Sequence, residues 1–424
     1  MDMKFKLNVI LVGLFVFGAL VVFQSNSDAQ ILPDNTIEVE NTPLVPKSWS
    51  LLEKMSEKDD LLRDLSLSVS TKSLDFYESR ISQNGDKVSM SRKKLSEQNK
   101  DIGMKIMNTD TGEVRVIKVS IKVQKDGIEL IAPVGYQIDI VERTSGIRWN
   151  KWNTLYKISS PQGWLVLKNK YPDLTGTTQK VTIKNKAGKK ITVSKKVFTV
   201  EEFIYSPYSG ELHTPELVEA GREYLKSVVR EAMTDLKDNQ VSFRALSLNF
   251  FARLPILEQT DMTEFEADPQ ITVDRVLVLI GANKDVAFKK TGSKAGALGW
   301  VQFTPKTYSS LRKAYPSANL IADFAVGAAD HLNSMKAAIL LYDYNLTDLV
   351  RKHGNKILND PRLEEYLAAG YNGSPSRASL SLKASIVANL SDWIDSLSSK
   401  RGGLANETKG YMAKIRYLQE KSLP

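Results

Sequence analysis

The sequence predicts an α+β multidomain protein, in which a β-rich domain is followed by an all-α domain. In residues 114–200, apolar and polar residues alternate, which is the period of a β-strand. From Tyr205 onward, apolar residues recur every three or four positions, which is the period of a helix. The two patterns are separated along the chain, and its 424 residues exceed what one ordinary core accommodates.

The composition is that of a folded globular protein, with 42% hydrophobic and 25% charged residues. The absence of cysteine excludes disulfides, thiolate nucleophiles and cysteine-ligated zinc. Three scattered histidines without metal-binding spacing argue against catalytic zinc and against a Ser-His-Asp triad. The net charge of +9 predicts attraction to polyanions, and a lysine-rich solvated surface is the alternative.

The N-terminus has the pattern of an export signal. Lys4 and Lys6 precede the uncharged segment Leu7–Phe23, which is followed by the small polar run "SNSDAQ". Residues 1–29 are therefore a signal peptide or, because seventeen residues reach the lower limit of a spanning helix, a membrane anchor. Either interpretation locates the remainder in the cell envelope, where anionic envelope polymers or the membrane, and not nucleic acid, are the expected partners.

Residues 30–104 are predicted to be a linker and a helical spacer. The first part, residues 30–47, contains three prolines and little periodicity. Residues 49–103 are charged, with mixed helical signals and a "QNGD" turn that begins at Gln83.

Residues 105–204 are predicted to form the β-rich domain. Alternating runs such as "VRVIKVSIKVQ" and "KKITVSKKVFTV" are separated by the turn sequences "KDG", "SPQG" and "NKAG". Six lysines and no acidic residue lie between Val181 and Val200. On alternating strand positions they form a basic face, and the alternative is a set of edge-strand lysines that oppose aggregation.

Residues 205–424 are predicted to form the all-α domain. Its first helix begins with Thr214 as N-cap and Pro215 in the first turn. The same periodicity predicts further helices at 255–260, 273–280, 305–313, 323–342, 361–369, 380–397 and 407–419.

Three short motifs lie in this helical half. They are "AGALGWVQFTPKTY" at 295–308, "LAAGYNGSPSRA" at 367–378 and "ETKGYMAKI" at 407–415. Each motif alone is a weak signal, but together and in this order they resemble the signature of the lytic transglycosylases over residues 245–420. The matching positions are the Gly-Ala, Gly, Gln and Pro-x-Thr of the first motif, Tyr371, Asn372 and Pro375 of the second, and Glu407, Thr408, Tyr411 and Lys414 of the third.

The resemblance implies a goose-type lysozyme-like fold that cleaves the β-1,4 bond between MurNAc and GlcNAc in peptidoglycan glycan strands. The family uses one glutamate, first as an acid and then as a base on the 6-hydroxyl of the sugar, which gives a 1,6-anhydro product. A carboxyl with both roles needs a raised pKa and hence an apolar pocket. No metal or organic cofactor is implied.

The sequence departs from the compact members of this family at the acid. They carry a Glu-Ser pair twelve residues before the Gly-Ala step, and the corresponding residue here is Lys284. One explanation is a non-catalytic protein that binds peptidoglycan or acts as a scaffold. The other is an insertion, with the acid further upstream.

Glu258 is the candidate acid under the second explanation. It follows the apolar run "LPIL" and precedes Gly296 by 38 residues, which leaves room for one extra helix at 273–280. The alternative is a surface glutamate on a short helix. Pro255 either starts or kinks that helix, and a position at the helix start would lower the pKa of Glu258. Glu264 and Glu266 are the reserve candidates.

Five further residues are candidates for substrate binding, and each has a structural alternative. Gln302 either binds the sugar N-acetyl group or is a satisfied buried amide. Tyr371 and Asn372 either line the cleft or form a helix C-cap with Asn372 left-handed. Glu407 either binds substrate or is a favourable charge at a helix start. Trp300 either stacks on a sugar or belongs to the core.

Overall fold

A β-rich region precedes a helical region, which confirms the order predicted from the sequence. The computed structural model describes residues 49–81, 88–124, 127–143, 154–184, 190–244, 246–293 and 295–423. The predicted signal or anchor at 1–29 and the predicted linker at 30–47 lie outside these ranges. Residues 48–424 form one compact unit, so the strands and the helices described below belong together.

The described residues form eight strands, all paired antiparallel. They are β1 (Val69–Ile81), β2 (Val88–Asn108), β3 (Val114–Gln124), β4 (Gly127–Ile131), β5 (Gln137–Arg143), β6 (Thr154–Ser160), β7 (Trp164–Lys184) and β8 (Lys190–Tyr205). One sheet has the order β4-β3-β2-β7-β8, with β1 also paired to β2. The second sheet contains β5 and β6 alone.

The prediction of a helical spacer before residue 104 is wrong for most of its length. Only α1 (Leu51–Ser56) and α2 (Asp59–Asp64) are helical, whereas β1 and most of β2 lie in the same segment. β1 pairs with β2 from Val69 opposite Lys100 to Ile81 opposite Val88. Pairing between strands outweighs the local preference of a charged sequence, because strand preference depends strongly on tertiary context.

Two buried lysines hold α1 and α2 on the sheet. The ammonium of Lys105 on β2 donates to the carbonyl oxygens of Met55 and Glu57 at 2.7 and 2.9 Å. The ammonium of Lys170 on β7 donates to the carbonyl of Leu65 at 2.7 Å. Burial lowers the pKa of Lys105 to about 8. These hydrogen bonds compensate for the loss of water around the two ammonium groups.

The helical region contains ten α-helices among the described residues. They are α3 (Pro215–Asp238), α4 (Leu248–Gln259), α5 (Met262–Ala267), α6 (Pro269–Asn283), α7 (Pro305–Ala314), α8 (Phe324–Ala329), α9 (His331–His353), α10 (Leu363–Asn372), α11 (Pro375–Val387) and α12 (Asn406–Glu420). No helix in the described part of the chain combines the length and the apolar character needed to cross a membrane.

The predicted start of α3 is confirmed, and two other helix predictions need correction. The hydroxyl of Thr214 accepts a hydrogen bond from Leu217 N at the start of α3. The predicted helix at 323–342 is instead two helices, because Asp330 ends α8 and caps α9. The predicted helix at 380–397 begins earlier, at Pro375, and ends at Val387.

The helical core is built around a close crossing of α3 and α6. A Cβ atom on Gly221 of α3 would lie 2.1 Å from the carbonyl oxygen of Leu277 on α6, so only glycine permits this approach. At the C-terminal end of α6, Asn283 binds the backbone of Ser206 through both amide atoms, at 2.7 and 2.9 Å. The end of β8 is thereby fixed to the helical core.

We expect Gly221→Ala to destabilise the protein by about 1–3 kcal/mol, the usual cost of overpacking a core. Alanine gains about 1 kcal/mol of helix propensity over glycine, but the contact with Leu277 forces the two helices apart. The free energy of unfolding, measured by urea denaturation, tests this. Gly210→Ala is the control, because no atom lies within 4 Å of its Cβ position. Equal stability of Gly221→Ala and the wild type would contradict the close crossing.

Candidate active site

Glu258 lies in the last turn of α4. Ser247 caps the start of this helix, and its hydroxyl accepts from Phe250 N at 3.2 Å. Pro255 is inside the helix and does not start it, so the expected position of Glu258 at a helix start is wrong. The carboxyl group is instead near the negative end of the helix dipole, which raises the pKa of a carboxyl group.

Glu258 lines a cleft of about 1310 Å³ in the described part of the chain. The cleft brings together five of the six predicted site residues: Glu258, Gln302, Tyr371, Asn372 and Glu407. Its other polar lining residues include Thr260, Asp261, Lys290, Thr291, Ser293, Thr304, Thr307, Asn406, Tyr411 and Lys414. The three sequence motifs therefore meet the end of α4 in a single cavity.

The environment of Glu258 raises its pKa from 4.5 to about 7, chiefly through burial. The negative charge of Glu407 adds to this rise. Two neighbours oppose it: Tyr411 Oη donates to Glu258 Oε1 at 2.7 Å, and the ammonium of Lys414 stabilises the negative charge. The result is a carboxyl that exists in both protonation states near neutral pH.

Helix α12 holds the end of α4 through two side chains on one face. Tyr411 contacts Glu258, and three residues later the ammonium of Lys414 donates to the carbonyl of Thr260, the C-cap of α4. Both residues matched the third motif, but the sequence interpretation assigned neither to the site. Their spacing of three, which puts them on one helix face, is the signal that could have identified them.

Gln302 has a satisfied amide, as its structural alternative predicts. Its backbone is left-handed, with φ of 52°, and its amide nitrogen donates to the carbonyls of Gly299 at 2.6 Å and Thr291 at 3.2 Å. In the same loop, Leu298 and Phe303 exchange backbone hydrogen bonds at 2.9 and 3.1 Å. Gln302 thus closes the loop that forms one wall of the cleft.

The prediction that Trp300 stacks on a sugar is wrong. Its side chain is fully buried, and its indole Nε1 donates to Ser334 Oγ at 2.8 Å. The indole ring stacks on His331 with centroids 3.8 Å apart. Gly299, with φ of 81°, turns the chain against Ala328, so that Trp300 packs against α9 behind the cleft wall.

Tyr371 and Asn372 line the cleft from the end of α10. The hydroxyl of Tyr371 donates to the carbonyl of Val301 at 2.6 Å, and its ring stacks on Tyr342 with centroids 5.3 Å apart. Asn372 is the last helical residue and Gly373 is the C-cap, so a left-handed Asn372 cap is wrong. Tyr371 connects α10 to the loop of the first motif.

Glu407 is the second residue of α12 and lines the cleft opposite the end of α4. The structural alternative for this residue, a charge at a helix start, is confirmed, whereas substrate binding stays a prediction. It is a carboxylate in the first turn, where the helix dipole stabilises negative charge. Its charge also acts on Glu258, because it raises the pKa of that group.

Lys284 is not among the residues that line the cleft. It is the C-cap of α6, where its ammonium is 3.5 Å from the carbonyl of Ala220 and 5.8 Å from the ring centroid of Tyr224. Two helices, α5 and α6, lie between Glu258 and the first motif, where the sequence predicted one. The reserve candidates Glu264 and Glu266 also lie outside the cleft lining.

Comparison of the chain with protein-family models, curated proteins and solved structures finds no match. Within the described residues, no group of three or more histidine, aspartate and glutamate side chains is arranged to hold a metal ion.

We expect the stability of the protein to depend on the titration of Glu258. A carboxyl with a raised pKa binds its proton more tightly in the folded state, so the free energy of unfolding falls as pH rises from 4.5 to about 7. Glu258→Gln removes this dependence and gains stability relative to the wild type across that window, on the order of 3 kcal/mol. Urea denaturation between about pH 4 and pH 8 measures the difference. Parallel curves for the two proteins would contradict a raised pKa.

Tyr411→Phe is expected to raise the pKa of Glu258 further, because it removes a hydrogen bond that stabilises the charged form. A carbon-13 NMR titration of the glutamate carboxyl groups, assigned by comparison with Glu258→Gln, measures the shift. Tyr417→Phe is the matched control on the same helix, since that hydroxyl donates to Gln270 on α6, outside the cleft. An unchanged or lowered pKa in Tyr411→Phe would show that this hydrogen bond does not control Glu258.

Proposed function

We propose that the protein is a peptidoglycan lytic transglycosylase, which cleaves the β-1,4 bond between MurNAc and GlcNAc and forms a 1,6-anhydro product. The observation that carries the proposal is Glu258, a carboxyl with a pKa near 7 inside a cleft lined by all three motifs. A lysozyme-like fold for residues 205–424 and an exported location, suggested by residues 1–29, belong to the same proposal.

In the first step, protonated Glu258 donates its proton to the glycosidic oxygen as the C1–O bond breaks. The leaving GlcNAc-side sugar departs as an alcohol, and positive charge develops at C1 and the ring oxygen of MurNAc. Because Tyr411 donates to Oε1, Oε2 is the atom suited to carry the proton. Burial of Glu258 keeps a fraction of the carboxyl protonated at neutral pH.

In the second step, ionised Glu258 accepts the proton of the C6 hydroxyl of MurNAc. The hydroxyl oxygen bonds to C1, which closes the 1,6-anhydro ring and returns Glu258 to its protonated form. The hydrogen bond from Tyr411 and the charge of Lys414 stabilise the carboxylate between the steps. Burial favours the protonated form of Glu258, whereas Tyr411 and Lys414 favour its ionised form. The same residue can therefore act as the acid in the first step and as the base in the second.

The remaining cleft residues fit the recognition of a polar, uncharged sugar ring. Asn372 and Asn406 bring amides to the cleft, and Thr304 and Thr307 bring hydroxyl groups. The amide nitrogen of Gln302 is already bonded to two carbonyls, so we assign this residue a role in shaping the cleft wall. A volume of about 1310 Å³ exceeds a typical small-molecule pocket and suits an extended polymer.

Glu258→Gln should reduce the release of soluble muropeptides from purified sacculi by at least about 100-fold, the usual effect of losing an acid-base group. Mass spectrometry of the products should show anhydro sugar ends from the wild type. Glu264→Gln is the matched control, because Glu264 pairs with Arg275 outside the cleft and should leave release unchanged.

Each outcome of this assay separates one part of the proposal from another. If the wild type releases no muropeptides, the catalytic function fails, and the alternative of a non-catalytic peptidoglycan-binding or scaffold protein takes its place. If Glu258→Gln remains active, only the assignment of the acid fails. Products with reducing ends would identify a hydrolase in place of a lyase.

A further inference from the structure

The hairpin of β7 and β8 extends beyond the rest of its sheet. β7 pairs with β2 only as far as Lys170, whereas its pairing with β8 continues from Leu174 opposite Val200 to Lys184 opposite Lys190. We call residues 174–184 and 190–200 the lysine arm. At 3.3 Å per residue, its eleven paired positions span roughly 35 Å. A two-stranded ribbon of this kind is marginally stable alone in water.

The lysine arm carries one sign of charge. Residues 174–184 and 190–200 contain five lysines and no acidic residue. By register, positions 178, 180, 182 and 184 of β7 and positions 190, 192, 194 and 196 of β8 fall on one face of the ribbon. Lys180, Thr182, Lys190 and Thr192 are exposed. Four of these eight positions are lysines, and the other four are threonine or serine.

The arrangement of these lysines is unfavourable without an anion. Lys184 and Lys190 occupy directly opposite positions in the register, and like charges in such pairs destabilise a sheet. Lysines that only protect a strand edge from aggregation need not share one face. A row of lysines and hydroxyl groups is instead complementary to a polymer that carries repeated carboxylate groups.

The base of the lysine arm adjoins the rim of the cleft. Glu201 follows the arm directly, and its Oε2 is 3.5 Å from the ammonium of Lys290, a residue that lines the cleft. The same ammonium is 5.3 Å from the ring centroid of Phe203. The base of the lysine arm thus contacts a residue of the cleft lining.

We propose that the lysine arm is a second binding site for peptidoglycan, which binds the carboxylates of the peptides attached to the glycan strand. This inference depends on the proposed function, because it takes the polymer in the cleft as the source of those carboxylates. The arm holds the polymer by charge, while the cleft recognises its sugars. Binding through the arm therefore weakens as salt screens the lysines.

The test measures sedimentation of the full chain with purified sacculi, on a Glu258→Gln background so that binding is separated from cleavage. The arm variant replaces Lys180, Lys184, Lys190 and Lys196 with Gln. We expect it to bind about tenfold more weakly than its parent at low salt and to lose most of the salt dependence. A control variant replaces four exposed lysines elsewhere, Lys237, Lys313, Lys356 and Lys400, and should bind as its parent does.

Sacculi stripped of their peptides by an amidase provide the second comparison. The parent, which keeps the lysines of the arm, should bind these peptide-free sacculi no more tightly than the arm variant does. Equal binding of parent and arm variant to intact sacculi would overturn the inference, as would an equal loss in the control variant. The four arm substitutions are also made with Glu258 intact. If this protein cleaves peptide-free glycan as the wild type does, the arm substitutions do not prevent folding. A wild type that binds through the arm but releases no muropeptides would overturn the proposed function and leave this inference standing.

Discussion

The contact between α12 and the end of α4 is the constraint on which the candidate site depends. Tyr411 binds the carboxyl of Glu258, and Lys414 binds the carbonyl of Thr260 just beyond it. Burial of the Glu258 carboxyl raises its pKa. The hydrogen bond from Tyr411 to one carboxyl oxygen stabilises the ionised form, which is therefore still accessible. The position of the Glu258 carboxyl and its affinity for a proton thus both depend on the contact between α4 and α12. Removal of α12 would alter both properties.

The long segment between Glu258 and the first motif is accommodated within the helical core. Between Glu258 and Gly296 the chain forms α5 and α6, and α6 packs against α3 through Gly221. Lys284, which occupies the position expected from shorter spacing, lies at the end of α6 instead. The apolar run before Glu258, and not its distance from the first motif, is thus the feature that locates this buried carboxyl.

The sequence was informative where a local rule controls the structure. Thr214 caps α3 as predicted, and Thr304 caps α7 in the same way, because a hydroxyl before a proline-started helix satisfies free backbone N–H groups whatever the tertiary context. Four of the five cleft residues were predicted from the motifs, and Glu258 from the apolar run that precedes it. The strands before residue 108 were missed because partner strands stabilise them, and Trp300 was misassigned because burial depends on α9, which is distant in sequence.

The loop of the first motif forms a rigid wall of the cleft, and contacts on the side away from the cleft stabilise it. Gln302 and Gly299 both adopt left-handed backbone conformations, which carry a conformational cost for glutamine. That cost is offset where the amide of Gln302 binds two carbonyls and Trp300 anchors the loop between His331 and Ser334. A residue that lines the cleft is thus supported by residues behind it that do not, and a sequence motif contains both kinds without distinguishing them.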